Sequence, residues 1–144
     1  MYRILNYNLK VNKMEKIFVE KFIKDKYKER ILYELSSKKP DKKEKAFTKL
    51  LEYDEYLRND VSKIDLSHLT EEEIVSVISN RFKNKYCYSL KFNCKVELVK
   101  GVINTINSYM LDILVIDENN IIYIGEVEHH KDGGNASVKY IFYT

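Results

Sequence analysis

The chain has 144 residues, 25 Lys and Arg against 22 Asp and Glu, and a hydrophobic fraction of 44%. That suffices for one core and is too short for two independent ones. One Pro and four Gly argue against collagenous, linker-like or disordered character.

No apolar run approaches the ~20 residues of a membrane helix. The opening residues, Met1 to Asn6, build no apolar stretch of the signal-peptide kind. Two cysteines, Cys87 and Cys94, make no disulfide scaffold, so a cytoplasmic protein with reduced thiols is expected. Charge is uneven. Residues 1–60 hold 16 Lys and Arg against 11 Asp and Glu, whereas residues 61–144 hold 9 against 11. A basic half beside a mildly acidic one suits contact with phosphate by one region and carboxylate chemistry in the other; it equally suits Lys-rich solvated helices.

Met14, Ile17, Phe18, Phe22, Ile31, Leu32 and Leu35 recur near the helical period and predict one helix over 13–35. Ser36-Ser37-Lys38-Lys39-Pro40 breaks it. Asp41 can cap a second helix, with Glu44 three residues on, running to about Arg58 with Ala46, Phe47, Leu50, Leu51 and Leu57 inward. Residues 59–67 read as a connection. Thr70-Glu71-Glu72-Glu73 is a capping box, and Ile74, Val77, Ile78 and Phe82 supply the apolar stripe of a third helix.

After Lys85 the period changes to two. Strands are predicted over 86–92 and 95–100, meeting near Asn93, and over 109–117 and 121–129, flanking the turn Glu118-Asn119-Asn120. Gly133-Gly134 interrupts the pattern, and 135–143 is read as a short helix in preference to a last strand. The fold class is therefore α+β: N-terminal helices, then a small, mostly antiparallel sheet, then a short C-terminal helix. Residues 1–65 form a helical region and 66–144 the α/β core, together one compact unit.

Three acidic residues interrupt the apolar strands: Asp112 in one, Glu126 and Glu128 in the next. Carboxylates in such places are costly unless something neutralises them, and a divalent cation with oxygen ligands does so. Side chains two apart share a strand face, so Glu126, Glu128 and His130 lie together. A three-residue loop over 118–120, with Asn120 left-handed at its end, sets Asp112 opposite Glu126. A two- or four-residue loop throws the faces out of match. The same alternation also describes the outer positions of a half-exposed hairpin.

Asp112, the apolar strand, the polar turn, the second apolar strand and Glu126-Val127-Glu128 resemble the core motif of the PD-(D/E)XK nuclease superfamily. The shape is closest to its NucS-like and RecB-like branches. The preceding Glu71-Glu72-Glu73 helix and the following Gly133-Gly134 and 136–143 stretch fit its αβββα order, over about residues 68–144. The resemblance implies a shortened restriction-endonuclease-type core in which Asp112 and Glu126, with Glu128 as a third metal and catalytic candidate, bind Mg²⁺ or Mn²⁺. Glu128 stands where the family has its water-orienting Lys; Glu72 and His130 are accessory candidates. It further implies a metal-dependent nuclease, or a nucleic-acid-binding domain derived from one, acting on DNA.

The Lys-rich 38–49 stretch supplies phosphate-binding candidates, Lys38, Lys39, Lys42 and Lys43, with Lys131 further on; a solvated helix face reads the same way. His129-His130 lacks companions at zinc spacing and suits a solvated strand end. Cys87 and Cys94 suit small buried hydrophobes better than nucleophiles. Twelve Tyr residues suit base stacking or a protein interface. A second function class therefore stands beside the first: a non-catalytic inhibitor, such as an immunity protein, an antitoxin or a phage anti-defence protein, whose partner is a toxin or defence nuclease. A homodimer is compatible with either, and neither involves a membrane.

Overall fold

The computed structural model describes residues 12–129 and 134–144. The helices are α1 (Lys13–Phe22), α2 (Asp25–Leu35), α3 (Pro40–Glu52), α4 (Glu71–Arg81) and α5 (Leu98–Asn107), with a 3₁₀ turn at Asp54–Tyr56. The strands are β1 (Ser62–Asp65), β2 (Tyr86–Ser89), β3 (Cys94–Glu97), β4 (Asp112–Asp117), β5 (Asn120–His129) and β6 (Gly134–Tyr143). They form one sheet in the order β1-β6-β5-β4-β2-β3, and every neighbouring pair is antiparallel. The α+β class read from the sequence is the class observed.

The sheet is the middle of three layers. Phe18, Phe22, Leu35, Leu50 and Leu51 of α1–α3 pack with Ile113, Val115, Ile121, Tyr123, Tyr140 and Phe142. Ile74 and Ile78 of α4 and Leu98 and Val102 of α5 pack with Leu114, Ile122, Ile124 and Ile141 on the other face. Period-two alternation along β4 and β5 produces this division, because successive side chains point to opposite faces.

Several expectations are corrected. The single helix over 13–35 is two, because Ile23 takes an extended backbone and bridges to Leu57. The amide of Arg58 donates to the Phe22 carbonyl and that of Lys24 to the Tyr56 carbonyl. These bonds, with full burial of Ile23, replace the helical ones the break forfeits. Asp41 does not cap α3: Lys39 is the N-cap without a side-chain bond, and Pro40 occupies the first turn, where its missing N–H costs nothing. Ser62–Asp65 is an edge strand on β6, not a connection. The strand expected over 95–100 ends at Glu97, where α5 begins. Gly101 permits that fold-back, since a Cβ there would lie 2.8 Å from Val96 Cγ2.

The expected C-terminal helix over 135–143 is strand β6, paired with β5 from Asn120↔Tyr143 to His129↔Gly134. Two strand neighbours satisfy its backbone on both sides, and Val138, Tyr140 and Phe142 alternate into the α1–α3 layer; an isolated short helix offers neither. The Thr70–Glu73 capping box is present as read: the Glu73 amide donates to Thr70 Oγ1 at 3.2 Å and the Thr70 amide to Glu73 Oε1 at 3.0 Å.

Candidate functional site

The carboxylate face depends on the β4–β5 register. The turn has two residues, Glu118 and Asn119, closed by Asp117↔Asn120. Asp117 Oδ1 accepts from the Asn119 amide at 2.8 Å and from Asn120 Nδ2 at 2.9 Å, an Asx turn of the kind these side chains build. Asn120 is not left-handed; among the described non-glycine residues only Asn93 and Tyr109 have positive φ.

A two-residue loop alone would have turned the acidic residues onto opposite faces. The ladder instead shifts between Val115 and Asp117, leaving Ile116 as a bulge residue, and Asp112 pairs with Ile124. One extra residue restores the parity. Asp112 and Glu126 thus share the face of α4 and α5, with Glu126 two residues along β5 from the partner of Asp112 rather than opposite it.

The two side chains meet different surroundings. Glu126 is exposed. Asp112 is 1% exposed, and both of its carboxylate oxygens accept hydrogen bonds. Ser89 Oγ donates to Oδ2 at 2.5 Å, while the amides of Lys91 and Ile113 donate to Oδ1 at 3.0 and 2.7 Å. Burial pushes the Asp112 carboxyl above the usual carboxylate range, against the pull of the Ser89 hydroxyl and the Lys91 amide. Ser89 in turn accepts from the Phe92 amide at 3.1 Å. Asp112 therefore pins the β2–β3 turn to the start of β4. It lies at the edge of a cleft of about 480 Å³ that includes Ser89, Phe92, Glu97, Lys100 and Thr105.

A hard divalent cation such as Mg²⁺ takes oxygen ligands, one or two of them carboxylates, with waters completing its shell. Among the described residues no three His, Cys, Asp or Glu side chains converge. Among the described carboxylates, Glu126 is exposed, Asp112 already holds three hydrogen bonds, and Glu97 lines the same cleft as Asp112. The side chains of Glu128 and His129, and the residues His130 and Lys131, lie outside the described residues. Glu72 belongs to the first turn of α4, in a separate cleft with Thr70, Glu71 and Val75. Burial, then the nearby Asp112 charge, pushes the Cys87 thiol up to about 12, so it is no nucleophile.

The lysines divide. Lys38, Lys39 and Lys42 line a groove of about 530 Å³ at the α2–α3 turn, together with Tyr33, Glu34, Ser36, Ser37, Lys45 and Lys49. Among the described residues only Lys49 of these five lysines is ion-paired, to Glu34 at 3.9 Å. Lys43 turns away, its ammonium 3.4 Å from the buried Glu15, at the rim of a different cleft of about 440 Å³. The sequence had marked the lysine run but not which of its members share a surface. Helical spacing separates Lys43 from Lys42, Lys45 and Lys49, a signal available in the residue numbers alone.

The groove belongs to the layer opposite Asp112 and Glu126, with the sheet between. Compared with protein-family models, with curated proteins and with solved structures, the chain matches none of them.

Proposed function

We propose that this chain is a nucleic-acid-binding domain whose contact surface is the α2–α3 lysine groove. The observation that carries the reading is the convergence of Lys38, Lys39, Lys42, Lys45 and Lys49 on one concave surface, with a single ion pair to them among the described residues. Clustered like charges repel and contribute nothing to folding. Facing a phosphate backbone they release condensed counterions, and the affinity this yields is steeply salt-dependent.

The test is direct. Binding of a labelled oligonucleotide is measured by fluorescence anisotropy across a salt series. Five phosphate contacts give a slope of log K against log salt of about −3.5 to −4.5. The double variant Lys42→Glu, Lys45→Glu, at two exposed positions, lowers affinity and flattens that slope. Absence of binding at low salt, or a slope unchanged in the variant, would reject the reading.

A second reading, metal-dependent phosphodiester hydrolysis at the Asp112 face, has one supporting observation: the shared face of Asp112 and Glu126. Its test is titration of the chain with Mn²⁺ by calorimetry and plasmid cleavage with the same ion. Under that reading both signals are lost in Glu126→Gln, an exposed position where stability changes by less than about 0.5 kcal/mol. No heat and no cleavage in the wild type would reject it.

A further inference from the structure

We infer that the cleft between α1, α3 and the β2–β3 turn binds a small organic amine, its ammonium on the buried carboxylate of Glu15 and its apolar body against the leucines of the wall. The residues concerned are separate from the α2–α3 lysine groove, so the inference stands or falls apart from the nucleic-acid-binding reading.

The cleft measures about 440 Å³, and Leu35, Phe47, Leu51, Leu90 and Leu111 line it. Leu35, Leu51 and Leu90 are buried, and Phe47 and Leu111 are partly buried against the same core. A concave, mostly apolar wall of this size with few polar groups is the form that small-molecule sites take. One charge is set deep in it: Glu15, in the first turn of α1, is 4% exposed.

A carboxylate taken out of water needs donors for its oxygens. The Lys43 ammonium lies 3.4 Å from Glu15 Oε1, longer than the roughly 2.7–2.9 Å of a strong charge-assisted bond. Glu15 Oε2 has no partner among the described residues. The Tyr88 hydroxyl, near enough to feel the Glu15 charge, donates instead to Asn93 Oδ1 at 2.5 Å.

Lys43 is a loose partner. It reaches in from the rim on a flexible stem with 38% of its side chain exposed, and returning its ammonium to water forfeits little. The other charges lining the cleft, Glu44 and Lys91, are exposed and opposite in sign. The charge presented at depth is therefore negative, which selects a cation over an anion. A primary ammonium brings three N–H donors to the carboxylate. A body of about one ring's size then buries its apolar area against the wall.

The experiment is calorimetric titration of the full chain with phenethylamine, phenethyl alcohol and hydrocinnamate, which share a phenyl ring and a two-carbon chain and differ in charge. The amine is expected to bind roughly 10- to 100-fold more tightly than the alcohol, and the carboxylate most weakly. Glu15→Gln should bring the amine to within about twofold of the alcohol by removing the charged acceptor. Lys43→Met frees Glu15 from its competitor and should tighten amine binding roughly two- to fivefold.

No heat with the amine, equal affinity for amine and alcohol, or amine binding unchanged in Glu15→Gln overturns the inference. The comparison of the three probes on the wild-type chain decides it even where a variant fails to fold.

Discussion

Asp112 shows how a residue's chemistry is decided by its neighbours. Its place in an apolar strand suits an acidic ligand. Its three donors, Ser89, Lys91 and Ile113, make it the anchor of a turn. Because burial raises its pKa, the folded state holds the Asp112 proton more tightly than the unfolded chain does. Stability from this group is therefore greatest at low pH and declines as pH rises through the raised value. Asp112→Asn keeps an oxygen for the two amides and offers an N–H to Ser89. We expect wild-type stability, relative to this variant, to increase as pH falls from about 7 to about 4, measured by urea unfolding at each pH. A difference that does not vary with pH would mean that the carboxyl titrates normally. Tyr109 is a second residue whose place matters more than its type. It follows α5 in the left-handed region, φ 54°, with its amide bonded to the Ile106 carbonyl and the Met110 amide to the Thr105 carbonyl. This is the helix-ending motif that favours Gly. At 95% exposure its ring recovers none of the strain by packing. Tyr109→Gly should raise stability by about 0.5–1 kcal/mol, read as a higher urea midpoint.

Elements were legible where their signals are local. The α4 capping box uses residues three apart, and the β4 and β5 alternation spans only a few residues, so both could be read directly. Elements fixed by distant partners could not. The α1–α2 break depends on Leu57, and β6 depends on β5 and β1 to satisfy its backbone. Gly125 belongs to the same class, since it sits in an apolar strand without any turn signal nearby. Its reason is close approach: a Cβ there would lie 2.6 Å from the Leu51 carbonyl oxygen and 2.5 Å from the Tyr123 ring, so α3 lies directly on β5. Gly125→Ala should cost about 2–3 kcal/mol by overpacking, seen as a lower thermal midpoint with the cooperative transition retained. The same contact is tied by the Tyr123 hydroxyl, which donates to the Leu50 carbonyl at 2.6 Å inside the core. Tyr123→Phe leaves that helix-end carbonyl unpaired and should cost about 1–2 kcal/mol, measured by urea unfolding.

At the level of the molecule, the sheet is covered on both faces, and the two coverings come from different parts of the chain. Residues 13–57 supply one, and α4 and α5 the other. The boundary read at residue 65 from the order of elements therefore runs through a shared core, and β1 on its N-terminal side is itself a strand of the sheet. A fragment spanning 66–144 would expose Ile113, Val115, Ile121, Tyr123 and Phe142 to water. It should show no cooperative thermal transition by circular dichroism, whereas the full chain shows one. The amino-acid order was enough to reveal the α+β class, the α4 cap, the apolar faces of β4 and β5 and the lysine run, because each is carried by residues close together in the chain. It did not reveal that a bulge at Ile116 rescues the parity of the acidic hairpin, that Asp112 spends its hydrogen bonds inward, or that the lysine groove and the carboxylates lie on opposite sides of the sheet. Those outcomes follow from strand register and layer packing, where one residue more or fewer in a ladder reverses which way every later side chain points.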